Sequence, residues 1–271
     1  MTHDVWLEKH PYLRRMADFH KAIEETLAVV SLPTICIPGC GDYVSDFHIG
    51  IPLLRSDSVA IDLQPTVKPI LTVTGILAST SLPAKLTERI RDLSTELKME
   101  ADEPGRIVNT LLGQHSFTPT HPGLFLHLGW TILARCLRDL VTAFGLWRDE
   151  ESWLRPYCPT CGGLPAMAQL IGVDQGRRRI LCCGNCGTHW NYPRVGCPFC
   201  ENVDDQRLGH LGLEGEAVLR IHYCENCGGY LKTYDGEGRE ALFLADWTSL
   251  HLDIIACDRG LNRLADSRYQ L

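Results

Sequence analysis

Apolar residues recur at three- and four-residue steps from Leu13 through Met16, Phe19, Ile23 and Leu27 to Val30. That period predicts a helix with one buried face. The stretch "SLPTICIPGCGDY" (31–43) ends it with two prolines and two glycines. Residues 68–79 can form a further helix, against the strand preference of their Thr and Val residues. Pro83 opens a clearer one that carries Leu86, Ile90, Leu93 and Leu97. A short helix is expected over 105–112. A long one is expected over about 122–147, with Leu126, Trp130, Leu133, Leu137, Leu140 and Phe144 facing inward. These stripes are the core pattern of a helical bundle.

The pattern changes after "RDEESWLRPY" (148–157), a charged exit that ends near Pro156. From 158 to about 235 the chain is rich in Gly and Cys, with short β-type runs. "LADWTSLHLDIIACDRG" (244–260) returns to helical spacing, with Trp247, Leu250, Ile254 and Cys257 expected on one face and Gly260 suited to its end. The expected fold class is α+β. An all-α helical domain (1–150) is followed by two tandem four-cysteine ribbon modules (151–194 and 195–240), then a C-terminal helix and tail (241–271).

The chain has 271 residues, 45% hydrophobic and 22% charged, an ordinary globular balance. Its net charge of −7 argues against a broad phosphate-binding surface. No targeting segment is visible. The longest dense apolar stretch, Gly123 to Ala134, contains His127 and is too short to span a bilayer. A cytoplasmic protein without membrane insertion is expected.

Thirteen cysteines change this picture. Cys36, Cys40, Cys136 and Cys257 are scattered. The other nine lie within 158–227, eight of them as C-x-x-C pairs. Without an export signal, such pairs read as metal ligands rather than disulfides.

The region also repeats itself. Both copies begin C-P-x-C and end C-x-N-C-G, with 21 and 23 residues between the pairs. A C-x-x-C turn aims two thiolates at one centre, and two such turns complete a tetrahedral shell. Strands between them return the second turn to the first, with bends expected at Gly172, Gly176, Gly212 and Gly215. Pairing by repeat gives Cys158, Cys161, Cys183 and Cys186 on one metal, and Cys197, Cys200, Cys224 and Cys227 on another. Only 10 residues separate Cys186 from Cys197, so a cross-brace of first knuckle with third is the alternative. Two zinc or iron ions fit such shells. Zinc closed by four cysteines does no catalysis, whereas iron could carry one electron.

Cys182 aligns with Tyr223 and so lies one step outside its knuckle. It reads as a small buried residue, or else as a spare thiolate. From Arg155 to Asp235 there are eight Lys or Arg and eight Asp or Glu. Each divalent ion on four thiolates adds a formal −2, so nucleic acid is not an expected partner. "GRRRI" (176–180) is read as a solvated face. No G-x-G-x-x-G, P-loop, G-x-S-x-G or H-E-x-x-H motif is present. His189 and His222 flank knuckles but are not counted as ligands. No enzyme is indicated.

The ordered motifs "CPTCGGLP" (158–165), "CGNCGTHW" (183–190), Arg194, "CPFCE" (197–201), "CENCGGYLK" (224–232) and "LADWTSLHLDIIA" (244–256) resemble the formate dehydrogenase accessory protein FdhE family. "GIPLL" (50–54) and "AIDL" (60–63) resemble its linker. The doubled Cys182 and the ending "RLADSRYQL" depart from its pattern. The resemblance implies an accessory protein that acts in the cytoplasm on the catalytic subunit of formate dehydrogenase during maturation. A rubredoxin-like iron redox protein is the alternative, with a zinc-ribbon nucleic-acid binder behind it. The oligomeric state is left open.

Overall fold

The structure is a computed structural model that describes residues 3–36, 39, 41–114, 116–172, 176–213, 216–238, 241–265 and 268–269. In chain order the helices are α1 (His3–Lys9), α2 (Arg14–Leu27), α3 (Val44–Ile49), α4 (Val67–Leu77), α5 (Ala84–Met99), α6 (Pro104–Leu111), α7 (Pro122–Cys136), α8 (Arg138–Trp147), α9 (Ala241–Leu244) and α10 (Leu250–Asp258). The strands are β1 (Pro165–Ile171), β2 (Arg178–Cys183), β3 (His189–Tyr192), β4 (Leu208–Leu213), β5 (Glu216–Cys224) and β6 (Tyr230–Asp235). None of the described helices is long and apolar enough to cross a membrane. The expected bend Gly215 lies outside the described residues.

The chain forms two compact units. Residues 1–38, 60–143 and 268–271 form the first, and residues 39–59 and 144–267 the second. The division falls within α8.

The first unit is helical. Its central element is α4, which packs on α2, α5, α6 and α7. Val67, Ile70, Val73 and Leu77 are buried. Thr72 and Thr74 return their hydroxyls to the carbonyls of Lys68 and Ile70, at 2.9 and 2.7 Å. Its exposed stripe is Lys68, Thr72 and Ile76, of which two are β-branched residues, which is why its sequence is ambiguous. On α2 the stripe holds at Leu13, Phe19, Ile23 and Leu27, all buried. The long helix expected over 122–147 is two helices, α7 and α8, which meet at Leu137. Trp130, Leu133, Leu137, Leu140 and Phe144 are buried, as expected. Leu124, Phe125 and Leu128 are buried, and Leu126 is only half-buried.

The second unit is built on one mixed sheet of order β3-β2-β1-β6-β5-β4. Each sequence repeat forms a three-stranded antiparallel meander, β1-β2-β3 and β4-β5-β6. The first strand of one meander pairs parallel with the last strand of the other, Met167 opposite Lys232 and Leu170 opposite Asp235. The two expected modules therefore share a continuous sheet rather than standing as separate ribbons.

Side chains alternate across a strand. Leu170, Arg179, Leu231, His222 and His210 share one face; Met167, Cys182, Lys232 and Tyr234 share the other. The second face is covered by residues 241–265. Phe243 stacks on Tyr234 with ring centroids 5.0 Å apart. Lys232, 1% exposed, reaches Asp246 at 2.5 Å and Asp253 at 2.7 Å. Arg263 also bridges both carboxylates. The face expected for the last helix is met only in part: Trp247 is buried and Leu250 half-buried, but Leu252 and Ala256 are buried in place of Ile254, which is 61% exposed, and Cys257, which is exposed. Lys232 selects this orientation, because Asp253 must point at the sheet.

Residues 47–54 pack beside the first knuckle. The amides of Leu53 and Leu54 donate to the carbonyls of Pro159 and Thr160, both at 2.8 Å. The Tyr157 hydroxyl donates to the Gly50 carbonyl at 2.8 Å. Phe47 stacks on Trp153 at 5.2 Å.

Candidate metal centres

Four knuckles share one backbone pattern. In three, the amide of the first cysteine donates to a carbonyl five residues on: Cys158 to Gly163, Cys197 to Asn202 and Cys224 to Gly229, at 2.8–2.9 Å. Cys183 donates to Thr188 at 2.9 Å in the same way. The residue four after each first cysteine is left-handed: Gly162 (φ 78°), Gly187 (φ 76°), Glu201 (φ 56°) and Gly228 (φ 67°). Glycine adopts that conformation freely, and Glu201 is the one exception in the set. The tight turn lets backbone amides reach sulfur. Asn185 N–H lies 3.4 Å from Cys183 Sγ, and Phe199 N–H 3.4 Å from Cys197 Sγ.

The knuckles assemble by repeat. Cys158, Cys161, Cys183 and Cys186 form one group, and Cys197, Cys200, Cys224 and Cys227 form the other, with all sulfurs of a group within 4.8 Å. The cross-braced pairing is not the one formed. Sulfurs of Cys158 and Cys186, and of Cys161 and Cys183, are 3.4 Å apart. In the second group Cys197 to Cys227 is 3.6 Å and Cys200 to Cys224 is 3.7 Å. A metal–sulfur bond of about 2.3 Å gives a tetrahedron with edges of about 3.8 Å. Both groups come close to that shape, and they are far too open for S–S bonds of about 2.05 Å. The two four-sulfur clusters could hold metal ions, and the donor set suits zinc or iron alike.

The clusters differ in burial. All four sulfurs of the first belong to buried residues, whereas Cys200 and Cys227 are half-buried. Hydrogen bonding to Cys158 and Cys186, together with burial, holds Cys161 and Cys183 well above the usual thiol range. A metal entering this group must displace protons. At Cys200, burial acts upward, but hydrogen bonds from the Asn226 side chain and the Asn202 backbone bring the thiol down to about 7.

Polar side chains also surround the sulfurs, and only Asn226 has a signal in the sequence, as the Asn of the repeated C-x-N-C-G. Thr188 Oγ1 lies 3.1 Å from Cys186 Sγ and 2.7 Å from Thr160 Oγ1. Asn226 Nδ2 donates to Cys200 Sγ at 3.5 Å, from within the second cluster's C-x-N-C turn. Cys182 belongs to neither group. It is 4% exposed, on the sheet face opposite Cys183, in register with Met167 and His189. His189 lies on β3 and joins no cluster. In "GRRRI", Arg178 is solvent-exposed as expected, but Arg179 is 8% exposed. It points inward because its position shares the sheet face of Leu170 and Tyr192. Burial and the nearby Arg179 charge lower His222 to about 4.

Two four-sulfur knuckle clusters on tandem meanders define a rubredoxin-like, zinc-ribbon class of metal-binding protein, here with a helical unit. No family model matches the chain. The chain is 31% identical over 115 residues to an FdhE homolog of Aquifex aeolicus, covering 41% of each chain. It is 34% identical over 155 residues to an FdhE homolog of Stutzerimonas stutzeri, covering 53% of this chain and 45% of that one. The aligned stretches thus span less than half the length of these curated relatives. The crystal structure of the FdhE protein from Pseudomonas aeruginosa shares the fold, with a TM-score of 0.60, 24% identity, and coverage of 95% of this chain and 87% of that one. The chain is thus similar to FdhE proteins over its aligned stretches and shares their fold.

Proposed function

We propose that this protein is a formate dehydrogenase accessory protein that binds the catalytic subunit while that subunit matures in the cytoplasm. Its eight ligand candidates, Cys158, Cys161, Cys183, Cys186, Cys197, Cys200, Cys224 and Cys227, hold two structural metal ions. The observation that carries this reading is the pair of four-sulfur clusters on one sheet of FdhE-like fold. In this role the metals contribute folding energy to the meanders. The protein then acts as a binding partner rather than as a catalyst. A tagged copy in cells that express formate dehydrogenase should retain the catalytic subunit. Formate dehydrogenase activity that survives clean deletion of the gene would refute the role.

The half-buried second cluster supports one alternative, an iron site that exchanges an electron with the client. Amide donors to its sulfurs, from Phe199 and Asn226, are the kind of contact that tunes an iron–thiolate potential. Elemental analysis of anaerobically purified protein separates the readings. Zinc in both clusters and a colourless protein would rule out the redox role.

A further inference from the structure

The sheet face not covered by residues 241–265 holds a cleft of about 300 Å³ beside the second cluster, with Cys197 and Cys224 in its wall. Its other walls carry Arg177, Arg179, Arg194, Arg220, His210 and His222. Asp205 is the acidic residue lining it among the described residues. Four guanidinium groups on one small cleft are out of keeping with a chain of net charge −7.

The arginines are positioned rather than loose. Asp235 is 7% exposed and holds two of them, Arg177 in a two-point contact and Arg220 at 3.0 Å. Arg179 is more than nine-tenths buried, yet no carboxylate meets it among the contacts described. Its Nη1 donates to the Gly196 carbonyl at 2.8 Å, its guanidinium lies 5.8 Å from the Tyr192 ring centroid, and its buried Nε has no hydrogen-bond partner. A buried cation of this kind is costly unless an anion completes it.

Asp205 and Asp235 offset two of the four arginine charges, and a loaded second cluster would offset the others only from the cleft wall, without reaching the unpartnered Arg179 Nε. A phosphoryl group offers guanidinium forks more acceptor oxygens than a carboxylate does. Leu170, Leu208 and Leu231 supply apolar wall beside the charges, as small-molecule sites do. We infer that this cleft binds the phosphoryl group of a phosphorylated small molecule, seated against Arg179 and Arg220 beside the second metal centre. The inference does not depend on which client the protein serves.

The competing account is that the arginines only balance the formal −2 charge of a metal on four thiolates. The test uses the full-length protein with both clusters loaded, titrated with inorganic pyrophosphate and with a nucleoside diphosphate at constant ionic strength. The variants are Arg179→Gln, Arg194→Gln and Arg220→Gln, with Arg89→Gln on α5 as the control. The expected result is saturable binding, tighter for the nucleoside diphosphate because of the leucine wall. Arg179→Gln and Arg220→Gln should weaken it by roughly tenfold or more, with metal content unchanged, while Arg89→Gln has no effect. If Arg179→Gln fails to load its metal, the half-exposed Arg220 and the exposed Arg194 decide the matter. Absence of saturable binding to the loaded wild type would overturn the inference in favour of charge balance. Binding that is unchanged in both Arg194→Gln and Arg220→Gln would also overturn it. An oligouridylate that binds more tightly than the diphosphate and displaces it would assign the cleft to a nucleic acid instead.

Discussion

The fourth-residue position of the knuckles offers a measurement of backbone strain within one molecule. Gly187 has φ of 76°, and a Cβ built there meets nothing within 4 Å. Gly187→Ala therefore introduces no clash and reports the backbone alone. A left-handed non-glycine residue costs about 1–2 kcal/mol. A stiffer unfolded chain returns about 0.4–1 kcal/mol. The net loss is about 1 kcal/mol, which lowers the folded-to-unfolded ratio roughly fivefold and the melting temperature by about 2–4 °C. Glu201 (φ 56°) already bears that strain in the third knuckle, so Glu201→Gly should move stability the opposite way, by about the same amount or less. Thermal melts of the metal-loaded variants, with chelator competition for metal affinity, read both effects. If Gly187→Ala melts with wild type, or Glu201→Gly is less stable than wild type, the four knuckles do not share one strained position.

Other consequences arise from the same geometry. Cys183→Ser and Cys224→Ser should each remove the metal of their own cluster, read by elemental analysis; full metal content in either would refute its ligand assignment. Because Cys161 and Cys183 hold their protons well above the usual range without metal, metal uptake by the first cluster should release protons. Its apparent affinity should fall as pH drops, which titration in weak buffer would show, and a pH-independent affinity would contradict it. A chelator should strip the second cluster before the first, since Cys200 and Cys227 are half-buried; the reverse order in stopped-flow chelation would count against burial as the control. Lys232→Met should destabilise the second unit by about 3 kcal/mol, near the low end for breaking a buried pair because Arg263 still meets both carboxylates. Burial alone would raise the Asp246 carboxyl, but Lys232 and Arg263 outweigh it and hold it below its usual range. The stability it contributes is complete above about pH 4 and is lost as pH falls through the depressed pKa, so acid melts should show a step that Asp246→Asn abolishes.

Local chemistry is legible in the chain, and long-range pairing is not. Ligand spacing is a property of five or six consecutive residues, so each knuckle announces itself, and the repeat supplies the grouping. The parallel pairing of β1 with β6 joins residues 65 positions apart, Met167 with Lys232, through backbone groups that carry no sequence signature. The buried face of α10 differs in part from the expected one for a related reason. Its apolar residues spread around the helix, and the choice between faces is made by Lys232 on a distant strand. Residues 31–43 read as a simple break, yet the segment beyond it supplies Leu53 and Leu54 to the first knuckle. Hydrophobic periodicity cannot show such a role, because those contacts are made by two backbone amides.

The repeat also hides an asymmetry that the rest of the chain imposes. In the first meander, the 3-10 turn Leu53–Arg55 donates amides to the first knuckle, and a Cβ at Gly162 would come within 3.0 Å of Arg55. That segment seals the first cluster. In the second meander, Asn262 covers the fourth knuckle, its amide 2.8 Å from the Gly228 carbonyl and its carbonyl accepting from Tyr230 at 3.2 Å. The third knuckle is held from one side by the Tyr192 hydroxyl, which donates to the Cys197 carbonyl at 3.2 Å, while Val195 and Val203 flank it at 51% and 73% exposure. An exposed turn is where a residue such as Glu201 can stand in a glycine position, since no packed neighbour crowds its side chain. The same exposed turn carries Cys200, whose sulfur relies on the amide of Asn226 rather than on burial. Two units of matching sequence thus present unlike metal environments, one sealed and one open beside an arginine-lined cleft.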